Sequence, residues 1–155
     1  MFPALRLGYL VLPEYLVPVF RSVKALLDTG SATLLQLAVA DFMREGHFER
    51  YLRKLRARNA QRRAALIEAL DRHLGTRAEI SGSNAGDHIL LWLRDFPFDR
   101  TPELRRRAEA VGVRIFSVRP FYISPPKRAG LLLGYASLTE REISEGIRRL
   151  ATVFG

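Results

Sequence analysis

The chain has 155 residues, about the size of one domain, and it contains no cysteine. The lack of cysteine excludes a disulfide framework, a thiolate metal site and a cysteine nucleophile. Hydrophobic residues make up 48% of the chain and charged residues 26%, as in ordinary globular proteins, and the formal net charge is +9. No apolar run is long enough to span a membrane, and the N-terminus does not resemble a signal peptide. We therefore expect a cytoplasmic protein with no membrane partner.

The first 46 residues predict one strand and two helices. Residues 5–12 (LRLGYLVL) form an apolar run that ends at Pro13 and predicts a strand. Pro13 and Glu14 suit the first turn of a helix, and apolar residues then recur every three or four positions as far as Leu27. A second helix is predicted from Ser31 to about Glu45. Because a single strand cannot form a sheet, we interpret residues 1–46 as the remnant of a larger domain.

Residues 47–155 predict a self-contained unit of alternating helices and strands. A long amphipathic helix is expected from His47 to Leu74. After it come strands at residues 79–81 and 87–93, a helix from Thr101, a strand at residues 113–118, a proline-rich loop at residues 119–128, a strand at residues 130–136 and a final helix from Thr139 to about Phe154. This order predicts the α/β class, as an α+β two-layer sandwich with a small, mainly antiparallel sheet.

The long helix carries a run of basic side chains without an acidic one, at residues 50–63 (RYLRKLRARNAQRR). The run is compatible with a solvated helix face, with a face that meets an acidic patch of a neighbouring domain or subunit, or with a nucleic-acid contact. No helix-turn-helix, RNA-binding or zinc-finger pattern accompanies it.

Other candidate site residues give weaker signals. His47, His73 and His88 do not have the spacing of metal ligands. His88 is interpreted as a half-exposed strand residue, with a position in a cleft as the alternative. Trp92 is expected in the core. The segment 82–86, with a glycine at each end, is interpreted as a hairpin turn rather than a phosphate cradle.

Three segments in order, FPALRLGYLVLP, GHFERYLRKLRARNAQRR and GLLLGYA, resemble the C-terminal part of a class I/II (fold-type I) aminotransferase. The resemblance is closest to the aminotransferase-like domain of MocR-type regulators in the GntR family. It implies the small C-terminal domain of that fold at residues 47–155, with a strand and helices of the large domain at residues 1–46. It also implies pyridoxal 5'-phosphate as the cofactor, an amino-acid-like small molecule as the ligand, and a homodimer or a missing N-terminal portion as the partner.

The same resemblance assigns roles to individual residues. Arg6 matches the arginine that contacts the cofactor phosphate. The lysine that forms the Schiff base would fall just before Met1, so no catalytic residue is expected in the chain. Lys24, Lys54 and Lys127 are not convincing substitutes for it. The winged helix that reads DNA in the regulators is likewise expected to be absent.

The substrate subsite departs from the pattern of many relatives. Leu132 stands where those relatives have an arginine that binds the substrate carboxylate, and Arg128 is the candidate replacement. We predict the C-terminal portion of a pyridoxal-phosphate-dependent aminotransferase-like protein, from a MocR/GntR-type transcriptional regulator and inactive alone. The alternative is a non-enzymatic basic module that binds nucleic acid or an acidic protein. Uncovered apolar surface in the first 46 residues predicts oligomerisation or poor solubility.

Overall fold

The computed structural model describes residues 5–28, 31–82, 84 and 86–154. Internal contacts divide the chain into two compact units, one that extends to Lys54 and one that begins at Leu55. The long helix α3 (His47–Leu74) contributes residues to both units. The domain boundary between residues 46 and 47 stays a prediction. Among the described residues, no helix combines the length and the apolar character needed to cross a membrane.

The first unit is helical. A 3₁₀ turn at Glu14–Leu16 leads into α1 (Val17–Leu27), and α2 (Thr33–Arg44) follows. Pro18 lies at the start of α1, where the missing amide proton costs no intrahelical hydrogen bond. Neither α1 nor α2 has a buried residue. The apolar faces that the sequence predicts for these helices therefore remain exposed to solvent in this unit.

The strand predicted at residues 5–12 is wrong. Residues 6–12 are irregular and pair with no described strand. A strand needs a neighbour for its backbone amide and carbonyl groups, and an apolar run alone does not supply one. Six of these positions, residues 6–11, are exposed.

The second unit contains a four-stranded antiparallel sheet. Its strands are β1 (Ala78–Ser81), β2 (His88–Pro97), β3 (Phe116–Ser117) and β4 (Arg128–Gly134), in the spatial order β1-β2-β4-β3. The helices of this unit are the second part of α3, α4 (Thr101–Ala110) and α5 (Glu140–Ala151). The predicted fold class, helices combined with a small antiparallel sheet, is confirmed.

Alternate strand residues form the core with the helices. The buried cluster joins one face of β2 and β4 to α3, α4 and α5. Its fully or nearly fully buried members include Ile89, Leu91, Leu131, Leu70, Leu104, Leu150 and Tyr135. The alternate residues of β2 and β4, such as Leu90, Trp92 and Leu132, lie on the other face and are only half-buried. This second face is called the open face below.

Strand pairing changes some predicted boundaries. β2 continues to Pro97, past the predicted end at residue 93, with a register irregularity after Trp92. β3 is only two residues long: Phe116 and Ser117 pair with β4, and Val118 adds a single backbone hydrogen bond from its amide to the carbonyl oxygen of Gly130 over 3.0 Å. Arg128 begins β4 and is not part of the proline-rich loop. Trp92 is half-buried on the open face, so its predicted place in the core is wrong.

Candidate functional site

Arg6 has an unusual backbone conformation. Its φ is +48°, which makes it a non-glycine residue in the left-handed region. Its side chain is exposed and forms no hydrogen bond or ion pair with the described residues. Left-handed backbone at a long side chain is disfavoured, and such positions are found more often at ligand sites. The guanidinium of Arg6 is available to an anion such as a phosphate.

The three lysines of the chain have exposed side chains. Lys24 forms an ion pair with Asp28 at the end of α1. Lys54 lies on α3, and Lys127 immediately precedes β4. A lysine that reacts with a carbonyl group is usually activated by burial or by a neighbouring cation. None of these three side chains is buried, although Lys54 and Lys127 each have an arginine beside them in the sequence.

Arg128 is held against the sheet. Its Nη2 donates to Oε2 of Glu79 on β1 over 2.9 Å. Its guanidinium also lies 5.5 Å from the centroid of the Trp92 ring on β2. All three side chains belong to the open face, which arises because residues 79, 92 and 128 share one side of the pleat. In this conformation Arg128 is engaged within the sheet.

Polar side chains of α3 hold the loop between β1 and β2. The Asn59 amide donates to Oδ1 of Asp87 over 2.7 Å, and Nη1 of Arg63 donates to the carbonyl oxygen of Asn84 over 2.8 Å. Asn59 is almost completely buried. Tyr135, the residue after β4, holds the same loop, because its hydroxyl donates to the carbonyl oxygen of Gly86 over 2.6 Å.

The third polar residue of α3 in this group, Arg62, holds the chain after β4. Its Nη1 donates to the carbonyl oxygen of Ala136. We call Asn59, Arg62 and Arg63 the α3 clasp. Sequence reasoning missed it, although Arg62 and Arg63 lie three and four positions after Asn59, which places them on one side of a helix. Arg62 and Arg63 end the predicted basic run, so this part of the run is not a solvated face.

The clasp contacts the chain near His88 in two places, before β2 at Asn84 and Asp87 and after β4 at Ala136. His88 pairs with Gly134 at the end of the β2–β4 ladder, and its ring lies close to the glycine. A β-carbon at Gly134 would lie 3.2 Å from Cδ2 and 3.3 Å from Nε2 of His88. The imidazole itself is exposed. It lines a cleft of about 510 Å³, and a role for His88 at a cofactor stays a prediction.

That cleft is the main concave feature near the polar groups just described. It lies between α5, the end of β4 and the segment before β3, and it also borders Leu132 and Arg114. Glu142 lines the cleft, and its carboxylate accepts hydrogen bonds from the backbone amide and the hydroxyl of Thr139, each over 2.8 Å. These hydrogen bonds lower the pKa of Glu142, and Arg62 lowers it further. No group of three or more His, Asp or Glu side chains in the described segments could hold a metal ion.

Comparisons with known proteins identify the class of the fold. The multiple substrate aminotransferase from Thermococcus profundus matches with a TM-score of 0.82 and 24% identity over 90% of this chain and 34% of that protein. LysN, an alpha-aminoadipate aminotransferase from Thermus thermophilus, matches with a TM-score of 0.78 and 26% identity over 97% of this chain and 38% of that protein. The chain has the fold of the corresponding third of fold-type I aminotransferases.

Relatives by sequence define the family. The chain is 35% identical to the HTH-type transcriptional regulator YhdI of Bacillus subtilis over 155 residues, and 34% identical to the probable rhizopine catabolism regulatory protein MocR of Rhizobium meliloti over 158 residues. Both alignments cover 99% of this chain, which spans about a third (32% and 31%) of these relatives. No protein-family model matches the chain. The homologues of this chain are thus MocR-type HTH regulators and aminotransferases, and the predicted resemblance is confirmed.

Proposed function

We propose that this chain is the small-domain part of a pyridoxal-phosphate-binding regulator of transcription that responds to an amino-acid-like small molecule. The observation that carries the proposal is the 35% identity to an HTH-type regulator over 99% of the chain. The aminotransferase fold supports it, because that class of protein binds amino-acid-like molecules at its cofactor. DNA would be bound by an HTH domain, and the regulator would act in the cytoplasm. The alternative of an independent basic binding module is not favoured.

The residues of this chain fit one part of the proposed cofactor. The Arg6 guanidinium has no partner among the described residues and can bind a phosphate with its parallel N–H groups. Its left-handed backbone supports a ligand-binding role, because such a conformation is costly for arginine. LysN was crystallised with N-(5'-phosphopyridoxyl)-L-leucine, a phosphorylated cofactor adduct. When bound, pyridoxal phosphate supplies an electron sink at the substrate amine.

The lysines do not fit the reactive end of the cofactor. Lys24 is paired with Asp28, and Lys54 and Lys127 are exposed rather than buried. We therefore assign no catalytic residue and no chemical step to this chain. Arg128 could act on a substrate carboxylate only after its guanidinium leaves Glu79, which argues for a structural role first.

A chimera tests the cofactor role of Arg6. The homologous third of YhdI is replaced by this chain, and pyridoxal phosphate retained after dialysis is measured by absorbance. Arg6→Ala should weaken retention by about 10- to 100-fold, since a charge-assisted hydrogen bond is worth about 1.5–3 kcal/mol. Arg6→Lys should recover part of it. Arg58→Ala, at an exposed position on α3, is the matched control. Equal retention in Arg6→Ala and Arg58→Ala would reject the role.

The first unit supports the proposal that the protein works as an assembly, with a homodimer as the simplest form. Several large apolar side chains there are exposed, among them Tyr9 at 90%, Val11 at 87% and Leu26 at 84%. Apolar surface of this kind is usually covered by protein. We expect the isolated chain to self-associate in sedimentation and to bind a dye for apolar surface. A monomer that binds no dye would contradict the proposal.

A further inference from the structure

The cleft beside α5 exists because β3 and β4 separate. Their last pair is Phe116 with Leu132, and the segment at Val113 and Arg114 continues beyond it without pairing to β4. The space between this segment and α5 measures about 510 Å³. This volume lies within the range of about 300–1,000 Å³ that small-molecule sites occupy.

The inner part of the cleft is apolar. Leu66 from α3 and Ile147 and Leu150 from α5 line it, and all three belong to the buried core. Gly146 lies in the same wall, in the middle of α5, where glycine weakens a helix relative to alanine. A β-carbon at this position would meet nothing within 4 Å. The glycine therefore leaves open space that an alkyl chain can occupy.

An unengaged cation lies at the rim of the cleft. Arg114 is exposed and makes no hydrogen bond or ion pair with the described residues. The two carboxylates at the rim are already engaged: Glu142 with the amide and hydroxyl of Thr139, and Asp87 with the amide of Asn59. The charge of Glu142 is also offset by Arg62. Arg114 therefore supplies a guanidinium at the rim, where the His88 imidazole and the Ser137 hydroxyl are further polar groups.

We infer that this cleft binds a small carboxylate with an aliphatic tail. The carboxylate contacts the guanidinium of Arg114, which can bind both oxygens with parallel hydrogen bonds. The tail lies against Ile147 and fills the space beside Gly146. This site belongs to the second unit alone. The site requires neither pyridoxal phosphate nor Arg6. Its test is therefore independent of the test of the proposed function.

Octanoate is the first probe, titrated into the ¹⁵N-labelled chain and followed by amide chemical shifts. We expect the largest shifts at Arg114, Gly134 and Gly146, and binding of octanoate on the order of tenfold tighter than binding of 1-octanol. Octylamine has the same tail and the opposite charge, and it should bind more weakly than the alcohol. Shifts confined to α1 and α2 would overturn the inference, because the exposed apolar surface there would then be the binding site.

Substitutions at two positions test the binding of the aliphatic tail and of the carboxylate separately. Gly146→Leu fills the inner space and should abolish binding, while thermal unfolding shows whether the variant remains folded. Arg114→Ala should make the affinities for octanoate and 1-octanol equal. Arg114→Lys should restore part of the preference for octanoate. Arg141→Ala removes an exposed arginine on α5 outside the cleft and should change nothing.

The two Arg114 variants test the position of the carboxylate even if Gly146→Leu does not fold. A preference for octanoate that survives Arg114→Ala would overturn the assignment of the carboxylate position. Unchanged affinity in a folded Gly146→Leu variant would overturn the assignment of the tail. No binding of any of the three probes up to their solubility would overturn the inference as a whole.

Discussion

The indole ring of Trp92 occupies the space that a side chain at Gly130 would need. The two residues pair across β2 and β4. A β-carbon at Gly130 would lie 2.7 Å from Cζ3 of Trp92 and 2.8 Å from Cγ2 of Val118. The ring is also held by Tyr122, in a perpendicular arrangement with 6.2 Å between ring centroids. Glycine at position 130 is therefore required for the indole to cover this part of the open face.

Gly130→Ala should destabilise the protein. The added methyl group has to displace Trp92 or the backbone of β4, and overpacking of this kind costs about 1–3 kcal/mol. Urea unfolding of the second unit measures the loss. Gly146→Ala is the matched control and should stabilise the protein by about 0.5–1 kcal/mol, because its β-carbon meets nothing and alanine favours the helix. Equal stabilities of the two variants would contradict the close approach.

The pair of Asn59 and Asp87 should behave as a coupled unit. Asp87→Ala leaves the buried Asn59 amide without its acceptor, which costs about 1–3 kcal/mol. Asn59→Ala should cost a similar amount, and the double variant clearly less than the sum. The free energy of unfolding of the four proteins measures the coupling. Additive losses in the free energy of unfolding would show that the hydrogen bond contributes nothing. Arg58→Ala, at an exposed position next to Asn59, is the control and should change this free energy little.

The start of α5 depends on a reciprocal cap. The Thr139 hydroxyl accepts a hydrogen bond from the Glu142 amide over 3.3 Å, and the Glu142 carboxylate accepts one from the Thr139 amide over 2.8 Å. Thr139→Ala should destabilise the protein by about 0.5–2 kcal/mol. Thr139→Ser keeps the hydroxyl and should lose much less. Thermal unfolding distinguishes the two variants, and an equal loss in both would assign the effect to the threonine methyl group.

Glu145 should make stability depend on pH at the acidic end. Hydrogen bonds from Arg148 and Arg149 lower the pKa of this carboxyl to about 2. Because the folded pKa lies below the unfolded one, the stabilisation is complete above about pH 4.5 and is lost as the pH falls towards 2. The group is exposed, so the effect should be small and weakened by salt.

Unfolding midpoints between about pH 2 and pH 6 test this dependence. Glu145→Gln should reduce the dependence of the unfolding midpoint on pH. Glu68→Gln, at another exposed helical carboxylate, should reduce this dependence less. If both variants keep the slope of the parent protein, other carboxylates control the acid response.

Sequence patterns predicted the elements whose cause is local. The capping residues at Thr139, the glycine after Leu74 and the helical spacing of apolar residues in α5 are all short-range signals, and the helices appear where they indicate. The strands at residues 5–12 and 113–118 were predicted from apolar runs alone. Pairing decides whether such runs become strands, and in the second run only Phe116, Ser117 and the amide of Val118 bond to β4.

The polar contacts of the site were harder to foresee. The run at residues 50–63 resembles a uniform basic face, yet Arg62 and Arg63 turn to carbonyl oxygens far along the chain. Arg128 was assigned to a loop because Pro125 and Pro126 precede it, and its position in β4 became clear only from the sheet register. Long-range acceptors have no sequence signature. The role of Arg6 comes from family resemblance and stays a prediction.

Arg62 and Arg63 donate to main-chain oxygens of Ala136 and Asn84, and this has a consequence for sequence variation. Every residue has a carbonyl oxygen, so the identities of residues 84 and 136 can change while the clasp persists. The donors have less freedom, because each position needs a long side chain that ends in a hydrogen-bond donor. A saturation scan should therefore find positions 62 and 63 intolerant and the acceptor positions permissive. Loops held in this way can diverge between relatives without loss of the fold.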